Sequence, residues 1–342
     1  MTVTRAPAQQ APAALLDRVT TSALAWLDAH AAGFRLPGDP TGAGCDPDAT
    51  LKPLGELARL SGTLATLPGL TRETHRAARR LLHHAWREAG HGALFVALAR
   101  AEPHATYPLE VYAPFAEAGL RHRPYEELAR AHAGTRAWRA AELEPTRLLA
   151  VLQAERCLGL PPHELPEQAM RRTWLGALPE PWAFEGGSGY ALTHYVFHAT
   201  GWGRRPRELP DGVRDHLALW LPAWTDCCLA EERWDLAGEL LATAACLPDP
   251  LPAAAEWRRL AAAQGADGAL AEAGPPPAAG PGAGEPAAGE PSTGVSAAGE
   301  SPAGATRAAF LGCYHATLVA AFAAGLTAAR TRCLPGAAAV TE

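Results

Sequence analysis

Side chains able to do chemistry in apolar surroundings fall in four places along the 342-residue chain. The first is Gly186–Gly203, GGSGYALTHYVFHATGWG, where His194 and His198 stand four residues apart. In a helix, positions i and i+4 share a face, so both imidazoles would project toward one place. Such a pair can hold a metal or supply a general base with a helper. The zinc-protease signature needs Glu directly after the first His. Tyr195 stands there instead, which excludes that reaction class. Two core histidines bonded to backbone or carboxylates are the ordinary alternative.

Tyr314 and His315 form the second place, with Thr317 two residues on and small or apolar neighbours otherwise. A phenol as proton donor beside an imidazole as base is a common pair when both are buried and within reach. The third is Asp235 and Glu239, four apart and flanked by Trp234, Leu236, Leu240 and Leu241. Buried carboxylates need a partner or must neutralise, and His194, His315 or an arginine would serve. Glu231, Glu232 and Arg233 read as solvent-facing charge. Asp226-Cys227-Cys228 is the fourth: thiolate, carboxylate and imidazole are zinc-binding types, although buried cysteine is otherwise a small hydrophobe. The expected catalytic set is His194, Tyr314, His315, Asp235 and Glu239. Tyr190, Thr193, Trp202, Trp234 and Thr317 are the expected substrate contacts, and no metal ligand is assigned. Gly186, Gly187 and Gly189 before a helix would leave backbone N–H groups free for an anion. Without Lys-Ser/Thr or a preceding strand, they make neither a P-loop nor a Rossmann turn.

Positioning these groups falls to helices. Alanine and leucine dominate a chain that is 48% hydrophobic, and β-branched residues are scarce, which favours helix over strand. Apolar stripes broken by Gly and Pro predict helices over 14–32, 51–66, 71–90, 91–100, 109–119, 125–133, 135–141 and 145–158. Thr71 and Asp211 are expected N-caps, and Glu144-Pro145 a helix start. Residues 225–247 read as one long helix, followed by another over 252–264. Residues 1–13 and the Ala/Gly/Pro-rich insert 265–304 are expected to be disordered, because their composition cannot bury a core. The helix 305–331 beyond the insert is too apolar to stand alone and must pack back. The expectation is therefore an all-α protein, a single helical domain over 14–342 with a possible subdivision near 142. Paired antiparallel helices would form an α/α-toroid or a curved array.

A formal charge of −6 argues against nucleic acid as partner. The arginines of 76–87 and 204–207 read as solvated faces. No run is expected to approach the roughly 18 apolar residues of a membrane span, and the N-terminus lacks a signal-peptide core. A cytoplasmic location with seven reduced cysteines follows.

Three stretches, YALTHYVFHATGWG (190–203), WDLAGELL (234–241) and YHATLV (314–319), resemble an uncharacterised family of all-helical actinobacterial proteins with YALTH, DLxxEL and YHxTLV motifs, often encoded near natural-product gene clusters. The likeness spans mainly 145–330. It implies that His194, Glu239, Tyr314 and His315 belong to the family pattern. His198 and Gly201 stand where Tyr and Asp would be expected, which weakens the paired-histidine metal idea. A looser similarity is to α/α-toroid enzymes such as prenyltransferases and lanthionine cyclases; the Cys-His-Gly motif of the zinc-containing cyclases is missing. The expected function is a cofactor-independent biosynthetic enzyme performing acid–base chemistry of the cyclisation or lyase type on a peptide or other natural-product intermediate in a helical cavity, as a homodimer or with a biosynthetic partner protein. The alternatives are a zinc-dependent hydrolase or transferase, and a non-catalytic peptide-binding scaffold.

Overall fold

Fourteen α-helices and no strand occur among the residues described by the computed structural model, which are 9–38, 40, 42, 46, 49–274 and 302–333. The all-α class is as expected. In chain order the helices are α1 (Ala13–Ala29), α2 (Leu51–Thr66), α3 (Arg72–Glu88), α4 (Ala93–Ala101), α5 (Tyr107–Glu117), α6 (Arg123–Ala133), α7 (Arg136–Arg139), α8 (Pro145–Leu158), α9 (Pro166–Arg171), α10 (Gly186–Thr200), α11 (Asp211–Ala230), α12 (Trp234–Cys246), α13 (Ala254–Ala263) and α14 (Pro302–Arg332).

Local chemistry sets several of these ends. The Thr71 hydroxyl accepts from the Thr74 N–H at 3.1 Å, and Glu73 sits at the positive end of the α3 dipole. The Glu144 carboxylate accepts from the N–H groups of Thr146 and Arg147 at 3.0 and 2.9 Å, with Pro145 in the first helical position. Asp211 differs from expectation: it is the first helical residue, and Pro210 holds the cap position. The predicted long helix over 225–247 is also two helices. The chain turns at Glu231–Arg233, where Glu232 adopts φ +54° and the Arg233 N–H donates to the Cys228 carbonyl at 2.9 Å. The turn lets α12 fold back against α11, and it gives α12 a free N-terminus at Trp234.

That N-terminus is met by the segment 265–274, part of the expected disordered insert. The Glu272 carbonyl accepts from the Trp234 and Asp235 N–H groups at 3.0 and 3.3 Å, satisfying two of the donors a helix start leaves open. Leu270 is buried and its N–H donates to Thr317 on α14 at 2.9 Å. Residues 275–301 of the insert, like residues 1–8 of the N-terminal tail, lie outside the described residues. Within the rest of that tail, Ala11 is buried and the Gln9 carbonyl accepts from Ala254 of α13. At Gly268 (φ +96°) an added Cβ would lie 2.2 Å from the Ser22 carbonyl oxygen of α1. Gly268→Ala is therefore expected to destabilise by more than about 1 kcal/mol, read as a lower urea midpoint at unchanged slope.

Six helices form a closed cycle of contacts: α2 packs on α5, α5 on α8, α8 on α10, α10 on α12, α12 on α14, and α14 on α2. Others pack outside it: α3 covers α2, α4 lies on α5, α9 on α8, and α11 and α13 on α12. α1 lies against α14, α3 and α13. Small residues allow the close approaches. A Cβ on Gly238 would meet Val319 Cγ1 at 2.8 Å, and one on Gly325 would meet Leu64 Cδ2 at 2.5 Å. Contrary to expectation, one stretch, Arg307–Arg332 of α14, is long and apolar enough by composition to cross a membrane. Its most apolar window is 72% buried inside the protein, against α1, α2 and α12.

Candidate active site

All six helices of the cycle line one cavity of about 700 Å³. This lies within the range typical of small-molecule sites, roughly 300–1,000 Å³. Lys52, Glu56 and Arg59 come from α2, Glu110 and Val111 from α5, and Arg147, Ala150 and Gln153 from α8. α10 contributes Tyr190, His194, Phe197 and His198, α12 contributes Glu239, and α14 contributes His315, Val319 and Phe322. Trp202 reaches in from the turn after α10.

α10 begins with a reciprocal cap in which the Glu185 side chain accepts from the Ser188 N–H and the Ser188 hydroxyl accepts from the Glu185 N–H at 2.8 Å. The glycines expected to bind an anion lie inside this first turn. Gly189 lets α10 approach α12, since a Cβ there would meet Leu236 Cδ2 at 2.9 Å. His194 and His198 do share a face, with ring centroids 6.1 Å apart. Their environments differ. His194 is part-exposed to the cavity, and its Nδ1 lies 2.8 Å from the Tyr190 carbonyl oxygen. A carbonyl only accepts, so Nδ1 carries the proton and Nε2 keeps its lone pair in the neutral ring. The Nδ1 of His198 is buried without a hydrogen-bond partner among the described residues. Burial, then the neighbouring His194 and Arg59 charges, holds its pKa well below 6.5, so His198 is a neutral ring.

Glu239 is the hub of the polar level. Its Oε2 accepts from the Thr193 hydroxyl at 2.5 Å and lies 3.9 Å from His194 Nδ1, and its Oε1 lies 3.5 Å from His315 Nε2. On its other side, His315 Nδ1 faces Glu56 Oε2 at 3.1 Å. One imidazole thus bridges two carboxylates. Burial pushes the His315 pKa down, but Glu56 and Glu239 outweigh it and hold it well above 6.5. Burial likewise pushes the Glu239 carboxyl up, and the two histidines with Thr193 bring it below its ordinary value. The pair is ionised: an imidazolium between carboxylates.

Residues 20–325 match the family model described as "Domain of unknown function (DUF6895)". The chain belongs to this family. No curated protein and no solved structure matches it. The DUF6895 match contains every residue that lines the cavity.

Of the expected catalytic residues in this DUF6895 chain, His194, His315 and Glu239 meet in the cavity wall. Tyr314 and Asp235 stand behind it. Tyr314 is buried against Phe34 and Phe310 and bonded to Glu56. Asp235 accepts from the Tyr190 phenol, and burial together with that carboxylate keeps the phenol protonated. Among the expected substrate contacts, Tyr190 and Trp202 line the cavity. Thr193 is turned to Glu239, the Trp234 indole N–H donates to the Gly274 carbonyl at 2.6 Å, and Thr317 serves the Leu270 backbone. Asp226 pairs with Arg259 at the surface, Cys227 is exposed and Cys228 is buried. Among the described residues, no group of three or more His, Cys, Asp or Glu is placed to hold a metal ion.

Glu56 is the member that sequence reading missed, together with Arg59 and the aromatic pair Phe197 and Phe322. The available signal was spacing: Lys52, Glu56 and Arg59 recur at i, i+4 and i+7 on α2, the pattern of an ordinary solvated face.

Proposed function

We propose that the chain is an enzyme doing acid–base chemistry, of the cyclisation or lyase type, on a small molecule enclosed by the six-helix cycle. The observation that carries this reading is the His194 ring, whose Nδ1 is committed to a carbonyl while Nε2 is left as a base at the cavity wall. Glu239, ionised and 3.9 Å from Nδ1, stabilises the imidazolium that forms when Nε2 takes a proton. His315 is already protonated and so serves as a fixed positive charge that orients Glu239. The His194 imidazolium itself returns the proton, because the Tyr190 phenol in the wall donates its own O–H to Asp235 and is held protonated there. Tyr314 acts through Glu56.

The contact cycle supports the α/α-toroid reading of the fold, with outer helices covering inner ones. The actinobacterial, natural-product setting belongs to this proposal through the three motif stretches, as do the cytoplasmic location and a homodimer or partner protein. Zinc-dependent hydrolysis is the competing reading; at least one equivalent of zinc in purified protein, lost together with activity on chelation, would favour it. For the acid–base reading, the test is comparative metabolite profiling of cells carrying wild-type, His194→Gln or His315→Gln protein. Loss of one product at undiminished protein level supports catalysis. Unchanged product from His194→Gln would leave the non-catalytic scaffold as the better account.

A further inference from the structure

Below the polar level the cavity changes character. One to two turns further along α2, α10 and α14 lie Arg59, Phe197 and Phe322, with Trp202 beneath. The Phe197 and Trp202 rings stack with centroids 4.9 Å apart and 18° between planes, and Phe322 stands edge-on to them at 5.8 and 5.7 Å. Trp202 is held at φ +60° between Gly201 and Gly203, both also at positive φ. A left-handed non-glycine residue costs on the order of 1–3 kcal/mol and persists where surrounding structure fixes it. Here the turn places an indole across the cavity floor.

Arg59 at the floor and Arg204 behind it carry surplus positive charge. The Arg59 guanidinium lies 5.5 Å from the Trp202 ring centroid and bonds Glu117 through Nη1. Arg204 lies 3.6 Å from the same carboxylate oxygen. Two guanidiniums therefore share one carboxylate, because Arg205 and Arg156 take up Glu208. His198 is neutral and adds no charge. Burial lowers the Arg204 pKa, as expected for a cation without a full counter-charge. Flat aromatic walls select a flat ligand, and a guanidinium edge selects a carboxylate. The Glu56 and Glu239 carboxylates above repel an anion, which fixes the orientation.

We infer that the substrate is a planar aromatic or conjugated carboxylic acid, its rings against the part-exposed Trp202 indole, which the buried Phe197 and Phe322 back, and its carboxylate on Arg59. Its other end then lies at the height of His194 and Tyr190. This inference rests on the acid–base reading for what happens there, but its test does not need turnover.

The probes are 2-naphthoate, its neutral alcohol 2-naphthylmethanol, the cation 2-naphthylmethylammonium and the saturated decalin-2-carboxylate, titrated calorimetrically into the full chain. 2-Naphthoate should bind most tightly. Arg59→Met, which leaves Arg204 to pair with Glu117, should weaken 2-naphthoate at least tenfold and leave the alcohol within about twofold. Phe322→Ala should weaken both. Binding of the ammonium in preference to the carboxylate would overturn the inference, as would equal binding of the decalin acid, an unchanged carboxylate-to-alcohol ratio in Arg59→Met, or no 2-naphthoate binding at millimolar concentration. Should either variant fail to fold, the ranking of the four probes on wild-type protein decides alone. In His194→Gln the readout is product formation, and naphthoate binding is read on wild type. Loss of product in that variant without naphthoate binding to wild type would sink the substrate class and spare the acid–base reading; the reverse pattern would do the opposite.

Discussion

His194→Gln is expected to lower the rate of product formation by about 10²- to 10⁴-fold, the usual share of a positioned general base. The thermal midpoint should barely move. His194 is part-exposed at the cavity wall, and its near-ideal hydrogen bond runs to a backbone carbonyl one turn earlier. The substitution therefore empties no core space, and the buried Glu239 that His194 faces at 3.9 Å keeps Thr193 and His315 as partners. His198→Gln is the informative control. That ring lies on the same helix face and lines the same cavity, but burial, then the His194 and Arg59 charges, keeps it neutral, and its Nδ1 has no hydrogen-bond partner among the described residues. If the two variants lost activity equally, the distinction drawn between the two histidines would be wrong. Rates are checked by timed mass-spectrometric quantitation of the metabolite that disappears in the His194→Gln cells.

Glu239→Ala is expected to have the largest effect on stability, a loss of roughly 3–5 kcal/mol in urea unfolding. That is the general cost of removing one partner from a buried ion pair. Glu239 is 3% exposed, and its loss leaves the Thr193 hydroxyl with only the Tyr190 carbonyl as acceptor and His315 with Glu56 alone. Glu239→Gln keeps the shape and an acceptor oxygen, so it should cost less. The pH dependence follows from the two shifts. His315 titrates higher in the folded chain than its ordinary 6.5, so its contribution is fully present below that value and is lost as pH rises through the raised pKa. Glu239 titrates lower than its ordinary 4.5, so its contribution is present above that value and is lost as pH falls through the lowered pKa. Stability from the network is greatest between these limits. In Glu239→Ala the alkaline decline should flatten, because His315 retains only Glu56 to hold its proton. Unfolding midpoints measured from pH 5 to 9 for wild type and variant check this; an equal alkaline slope in both would contradict it.

The sequence carried the pairing of Glu239 with His194 and His315 because a carboxylate among Trp234, Leu236, Leu240 and Leu241 has to find a cation or donor within the protein. The caps at Thr71 and Glu144 were legible for a similar reason, since their side chains answer a purely local need. Glu56 was not legible. A Lys52–Glu56–Arg59 stripe looks the same whether it faces bulk water or a cavity; the packing of α14 on α2 makes Glu56 and Arg59 part-buried cavity wall, while Lys52 stays exposed. The break between α11 and α12 escaped notice because Glu231-Glu232-Arg233 contains neither Gly nor Pro. The turn is imposed from a distance, by packing of the two helices and by the Glu272 carbonyl. The strap 265–274 was hidden by composition: Gly268 looked like linker, whereas its contact with Ser22 makes it a close-packing position. Tyr314 and Asp235, expected in the catalytic set, lie one layer behind the cavity wall, because helical periodicity gives the face of a side chain and not its depth.

The protonation of two imidazoles decides which ring is the base, and 15N NMR of ring-labelled histidine reads it directly, with signals assigned by loss in His194→Gln and His315→Gln. Above the ordinary imidazole range of pH, His315 should still show two protonated ring nitrogens, while the neutral form of His194 should carry its proton on Nδ1 and leave Nε2 free. A neutral His315 at that pH, or a His194 protonated on Nε2, would contradict the assignment of His194 as base and His315 as fixed charge.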